Sequence, residues 1–266
     1  VSDNHRFTAR FPVTLDPWGF GATALRVGDY ALEVDGERVF ALPELAASVP
    51  HDMRAGSLAA HTIVADETVA LRLVKPRRAE ENTMYGQREL RARYQALTPE
   101  VDENIALFQC FWAEVATDSQ VPIFHEMQRR MPSLKAYWGV LDYSVAVPEG
   151  AIAVLAGSWE WYEILARAGW IVKNTEVGEY TVLRPGQCYL QTFHGQPFKA
   201  MGAGFWREAK RWPEFRVQWE STVRRSDFWS LILTPDETAD HWYRENYFYE
   251  GEIVSAGLPR TDSLLA

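Results

Sequence analysis

The chain is predicted to be an α/β protein, with a mostly parallel sheet carrying helices on its faces, preceded by a small antiparallel β domain. Three observations carry this expectation. From Val101 onward, apolar strand-like runs alternate with helical text; before Lys75 the apolar runs are short and separated by turn residues; and 266 residues at 47% hydrophobic content suffice for more than one core.

Taken in order, RFTARFPV, ATALRV, YALEVDGERVFALP and HTIVADETVALRLVKP form the first region, expected to be a sandwich-like β domain over residues 1–75. Asp35-Gly36 supplies the positive φ values of a tight primed turn, so the runs on either side of it pair as a hairpin. KPRRAEEN is a charged break, and with the helical RELRARYQAL it makes a linker-and-helix segment over 76–100. Within 101–266, NIALFQCFW reads as a buried strand and VPIFHEMQRRM as a helix opened near Asp118-Ser119 and Pro122. Asp118 and Ser119 are expected to cap that helix, with a place facing a cleft as their other possible duty. AYWGVLD and AIAVLAGS are the next strands. SWEWYEILARAG is a helix in which Ser158 caps the start, Glu160 favours the positive end of the dipole and Gly169 closes the last turn. WIVKN and CYLQTF then return as strands.

A net charge of -9 and a pI near 5.2 argue against a general nucleic-acid binder, which needs a basic surface to displace counterions from phosphates. Cys110 and Cys188 sit in the apolar settings FQCFW and GQCYL, which favours buried free thiols in a reducing cytosol over a disulfide framework. No apolar run approaches the ~20 residues that span a bilayer, and the start lacks a signal-type core. There is no phosphate-cradling glycine loop, paired-cysteine motif or His-Glu-x-x-His helix, so neither a metal nor a tightly bound cofactor is expected, and the Gly202-x-Gly204 pair is too weak to use. The start at Val1 and the end in SLLA lead to the expectation of a piece of a longer polypeptide.

The stretch YLQTFHGQPFKAMG concentrates the candidate chemistry. His194 follows a strand and therefore falls at a carboxyl end of the sheet, where ligands of open α/β sheets collect. Gly195 permits close approach of a ligand, Pro197 rigidifies the turn and Lys199 supplies a point charge suited to phosphate. An imidazole in that company is either a base for a hydroxyl or a ring satisfying a local hydrogen bond. His125 and His241 lie in helical text and are expected to be structural, while His5, His51 and His61 belong to no motif.

QTFHGQPFKAMG resembles the Q-T-W-H-G-T-P-L-K-x-x-G motif of the CDP-glycerol glycerophosphotransferase family, the teichoic acid polymerases and primases of bacterial envelopes. TDSQVPIFHEM resembles its S-D-N-P-x-x-I-Y-E-x-L segment, SWEWYEILARAGWIVKN its S-x-x-Y-Y-x-L-A-x-A-K-x-x-I-x-N segment, and the stretch ending GLPRTDSLL its G-x-P-R-N-D-x-L close. The four matches fall in order between Leu107 and Leu265. Phe193, Gln196, Phe198 and Thr261 stand where the family has Trp, Thr, Leu and Asn.

The resemblance implies a GT-B fold of two Rossmann-like halves, of which this chain holds the N-terminal, acceptor-side half. It implies transfer of glycerol phosphate, or another polyol phosphate, from a CDP-activated donor such as CDP-glycerol to a hydroxyl of a growing polymer or lipid-linked acceptor. His194 is then the base, with Gly195, Pro197, Lys199, Arg260 and Asp262 handling substrate and phosphate. The nucleotide-binding C-terminal half is expected to be missing, so the fragment alone is expected to be inactive. The basic, aromatic run Trp206–Trp229 is either a face for anionic membrane lipid or a solvated face over core aromatics; the lipid-linked acceptor places the protein peripherally at the cytoplasmic side of the membrane. The alternative is a non-catalytic module that holds polymer or a partner. A carbohydrate-binding or oligomerising role for the leading β domain rests only on aromatics such as Trp18, Phe20, Tyr30 and Phe40.

Overall fold

A computed structural model describes residues 14–16, 19, 23–25, 27–44, 51–55, 58–208 and 226–264. Most of the basic aromatic run lies outside the described residues, as do His5, Trp18 and Phe20. The chain divides into two compact units, 1–76 with 142–144, and 77–141 with 145–266.

The first unit is antiparallel. Its short pairs are β1 (Thr14–Leu15) with β2 (Thr23–Ala24), and β4 (Glu33–Val34) with β5 (Glu37–Arg38). The second pair is the hairpin expected at Asp35-Gly36, whose φ values of 52° and 82° are those of a primed turn. The main sheet runs in the order β3 (Gly28–Ala31), β8 (Thr68–Val74), β7 (Leu58–Ala65), β6 (His51–Ala55). Among the described residues this is one four-stranded sheet with two ribbons, not two facing sheets. Among its described residues Ala60 and Leu73 form a buried cluster, with Leu25, Val27, Tyr30 and Leu71 packed against them, and Val69 and Ala70 are buried too. Phe40 is exposed.

The second unit is a seven-stranded sheet with every pair parallel. Its order is β11 (Ile152–Leu155), β10 (Lys135–Val140), β9 (Asp102–Gln109), β12 (Ala168–Lys173), β13 (Cys188–Gln191), β14 (Leu231–Thr234), β15 (Glu252–Ser255). The chain starts in the middle at β9, winds one way through β10 and β11, then crosses to β12 and winds the other way. The gap between β9 and β12 is therefore a topological switch point, where strand ends splay and ligands fit.

Alternation along the strands divides the core. Leu107 and Ile171 face one cluster with Trp161, Tyr162, Tyr189 and Tyr243, while Phe108 and Val172 face the other with Phe124 and Trp138. Trp138 stacks on Phe108 at 5.2 Å between ring centres, and Phe124 meets it edge-on at 5.9 Å. Burial of large apolar side chains of this kind is worth roughly 1.5–3 kcal/mol each.

The described residues include the α-helices α1 (Met84–Ala96), α2 (Gln120–Arg130), α3 (Trp159–Arg167), α4 (Gly202–Glu208) and α5 (Glu237–Tyr247). Ser158 caps α3 by accepting from Trp161 N, as its position in the sequence predicts. Glu81 is a cap that sequence reasoning missed: buried within the charged stretch, its carboxylate accepts from Arg78 N and from Trp159 N at the start of α3.

Gly169 does not close α3. The strand β12 has begun at Ala168, and the glycine is needed because a Cβ there would stand 2.8 Å from Glu103 Cα on β9. Gly202 and Gly204 likewise have a packing duty, since side chains there would meet Asn246 O at 2.2 Å and Asn246 Oδ1 at 2.6 Å on α5.

Candidate active site

His194 is held by the backbone on both sides of it. β13 ends at Gln191; two residues later Phe193 takes a left-handed φ of 47°, its N–H donating to Gln191 Oε1 at 3.0 Å. A phenylalanine accepts that conformation because its ring is locked: it is buried, stacked on Tyr243 at 4.3 Å and edge-on to Trp229 at 5.3 Å. The turn throws His194 outward at the carboxyl end of the sheet, exposed, with its ring 5.4 Å from that of Phe111.

His194 Nδ1 lies 3.0 Å from the carbonyl oxygen of Asn174, the residue that follows β12. A carbonyl only accepts, so Nδ1 carries a proton, and in the neutral ring it is Nε2 that has the lone pair. Asn174 is fully buried and its amide is spent on the same centre: Nδ2 donates to Asp118 Oδ2 at 2.8 Å, and Oδ1 accepts from Phe111 N at 3.0 Å. Asp118, 7% exposed and at a φ of 68°, also accepts from Ser119 N at 2.8 Å. Arg260 closes the ring of contacts, with Nη1 donating to His194 O at 2.8 Å and lying 3.4 Å from Asp118 Oδ1.

Asp118 is therefore no helix cap. Neither it nor Ser119 caps α2 through its side chain; the aspartate serves the centre instead, because the left-handed turn after β9 points its carboxylate back toward Asn174. A cleft of ≈ 550 Å³ opens beside it, lined among others by Phe111, Asp118, His125, Pro259 and Arg260. His125 thus borders the cleft, whereas His241 is exposed and paired with Glu245 at 3.1 Å on α5.

A smaller hollow of ≈ 150 Å³ on the other side of the turn is lined by His194, Gly195, Pro197, Lys199 and Tyr243, among others. Lys199 is exposed and its ammonium lies 5.7 Å from the Phe198 ring. Gln196 donates to Asp236, the residue that caps α5, which ties the turn to that helix. Asp262 is exposed on the short 3-10 turn Pro259–Leu264 and lines neither space. The structure thus gathers His194, Gly195, Pro197, Lys199 and Arg260 and leaves Asp262 apart.

Asn174 and Phe111 escaped the sequence reading. The asparagine was signalled by the I-x-N end of the segment after α3; Phe111 had no signal beyond following a strand. Cys110 beside it is a free thiol, buried and pushed up to about 12, with Sγ donating to Thr117 O at 2.9 Å. Cys188 is also free and half-buried. Among the described residues no group of three metal-ligating side chains converges, and no helix is long and apolar enough to cross a membrane.

A wholly parallel sheet wound both ways from its first strand, with a polar histidine centre at its carboxyl edge, is a Rossmann-type α/β architecture. Residues 90–266 match the family described as CDP-Glycerol:Poly(glycerophosphate) glycerophosphotransferase, and the chain belongs to that family. Its relatives include a teichoic acid poly(glycerol phosphate) polymerase of Staphylococcus epidermidis, 25% identical over 171 residues that cover 62% of this chain and 23% of that protein. A teichoic acid glycerol-phosphate transferase of Staphylococcus aureus is 22% identical over 61% of this chain and 42% of its own length. The chain thus spans less than half the length of these curated relatives.

Among solved structures, wall teichoic acid polymerase TagF superposes with a TM-score of 0.59 at 23% identity, covering 67% of this chain and 44% of that one. A histidine-to-asparagine variant of TagF soaked with CDPG gives 0.58 at 22% identity, over 67% and 46%. The likeness establishes the α/β fold with its large parallel sheet.

Proposed function

We propose that the chain is the acceptor-side half of a transferase that moves glycerol phosphate, or another polyol phosphate, from a CDP-activated donor to a hydroxyl of a teichoic-acid-like or capsular polymer. The observation that carries this reading is the anchoring of His194 Nδ1 on the Asn174 carbonyl at the sheet's carboxyl edge. With Nδ1 turned to the Asn174 carbonyl at 3.0 Å, Nε2 is the ring nitrogen left to meet a hydroxyl, on an exposed ring at the sheet's carboxyl edge.

In the proposed step Nε2 takes the proton of the acceptor hydroxyl. The oxygen forms a bond to the phosphorus bearing the polyol, and the bridging P–O bond breaks with its electron pair leaving on CMP. Lys199 and Arg260 offset charge on the transferring group, and Gly195 lets it come close to the backbone. Such a step asks the protein mainly for positioning and electrostatics. Membership of the family supports the reaction class, and the CDPG-soaked TagF variant supports the donor class.

The donor's cytidine nucleotide is assigned to a second half of the complete enzyme, which leaves this half with the acceptor. A lipid-linked acceptor puts the reaction at the cytoplasmic face of the membrane. The test is CMP release by the complete enzyme. His194→Ala is expected to cut turnover by about 10²- to 10⁴-fold with the fold intact, since the ring is exposed. Turnover near wild type would remove the base from the proposal, and steady CMP release by the 266-residue chain alone would overturn the division between halves.

A further inference from the structure

The switch point holds a further cavity, of ≈ 440 Å³, that shares no lining residue with the cleft beside Asp118 or with the hollow at His194. Its floor is made by the last residues of the two central strands. Gln109 ends β9 and Lys173 ends β12, and the two are partners in the parallel register, so their side chains lie together. Both are buried, at 6% and 7% exposed, yet neither is spent inside the protein. Gln109 Oε1 accepts no hydrogen bond, and the Lys173 ammonium has no carboxylate partner among the described residues.

The indole of Trp161, 5% exposed, reaches the same place from α3 with Nε1 donating to nothing. Gly139 on β10 lets the two side chains pack against it: a Cβ there would meet Gln109 Oε1 at 2.8 Å and Trp161 Nε1 at 3.0 Å. Arg77 and Arg91 line the mouth, and Arg77 Nε is likewise buried without a partner. Three cations thus line the cavity together with one carboxylate, Glu176. The nearby Glu81, which accepts from two backbone N–H groups, also acts on Arg77 by its charge, so the cations still outnumber the carboxylates by one. Trp112, 68% exposed and at a φ of 56°, stands beside the opening.

Unspent buried polar groups of this kind cost free energy unless a ligand satisfies them. The cationic excess calls for an anion. The bare amide oxygen calls for a donor, which an ionised anion lacks and a hydroxyl has. We propose that this cavity binds a phosphorylated polyol, with Lys173 and Arg77 on the phosphate oxygens and Gln109 Oε1 and Trp161 Nε1 on the hydroxyls. Burial with no counter-charge pushes Lys173 down to about 8, and an arriving phosphate supplies that charge. The ligand class comes from the cavity itself; its identity as an acceptor-chain unit away from the reacting hydroxyl rests on the function proposed above.

Calorimetry on the 266-residue chain, with glycerol 3-phosphate, inorganic phosphate and glycerol as separate probes, tests the site. Glycerol 3-phosphate is expected to bind, at least tenfold tighter than either fragment probe. Lys173→Met and Arg77→Gln are each expected to weaken it at least tenfold while His194→Ala leaves it unchanged. Two variants of different burial guard against a folding artefact, checked by circular dichroism. No binding, equal binding of inorganic phosphate, or binding lost in His194→Ala but kept in Lys173→Met would overturn the proposal. The last pattern would place the ligand at the histidine centre and leave the transferase reading standing.

Discussion

Lys173 is the residue whose environment makes the sharpest demand. Burial lowers its ammonium from 10.5 to about 8, so below that value the native state carries a buried charge at full cost. Between about pH 8 and pH 10.5 the native lysine is neutral while the unfolded one is still protonated, so the unfolded state binds more protons and stability rises with pH. Urea unfolding is expected to show this rise, worth up to about 3 kcal/mol, until tyrosine ionisation opposes it near pH 10. Lys173→Met is expected to be more stable than wild type near neutrality and to lack the rise; an identical pH profile in both proteins would contradict the assignment. His194 was legible in the sequence because glycine, proline and lysine crowd behind it. Its supports were harder to see, since Asp118 and Asn174 are 56 residues apart and join only when β9 and β12 pair. An aspartate before a helix reads as a cap, and only its left-handed φ of 68° turns it toward the centre. Lys173 gave no signal at all, lying in an apolar run where a lysine at a strand end ordinarily reaches solvent.

At the scale of elements, the strand and helix order from Val101 to Phe193 was readable from periodicity and from Ser158, because local rules and packing agree there, whereas β14 and β15 were not read as strands. The hairpin at Asp35-Gly36 was readable for the same reason. The turn between β7 and β8 was not: Asp66 and Glu67 both take positive φ, at 48° and 62°, without a glycine to announce it. Gly169 was misread because glycine after a helix ordinarily marks its close. Here it serves a close approach of β12 to β9, at a point where the pairing register shifts between Ala168 and Trp170. Gly169→Ala is therefore expected to destabilise the second unit by about 1–3 kcal/mol, the usual cost of forcing a methyl into packed backbone. An unchanged denaturation midpoint would mean that the strands separate freely to admit it.

For the whole molecule, a net charge of -9 sets the background against which any basic segment acts. The run Trp206–Trp229 carries Arg207, Lys210, Arg211, Arg216, Arg224 and Arg225, and we propose it as the contact with anionic lipid. Sedimentation with phosphatidylserine vesicles is expected, fading as salt is added and reduced by Arg224→Glu with Arg225→Glu. Absent or salt-insensitive binding would remove the membrane from the account without touching the chemistry. The spread of the histidine centre along the chain has a further consequence, for synthesis. Asp118 and Arg260 are 142 residues apart, and the sheet between them is entirely parallel, so a nascent chain can lay down β9 to β15 before the guanidinium emerges. Until it does, the buried carboxylate lacks its cation and the His194 carbonyl its donor. The centre is thus the last part of this unit to be finished, and a half-made chain is scaffold without chemistry.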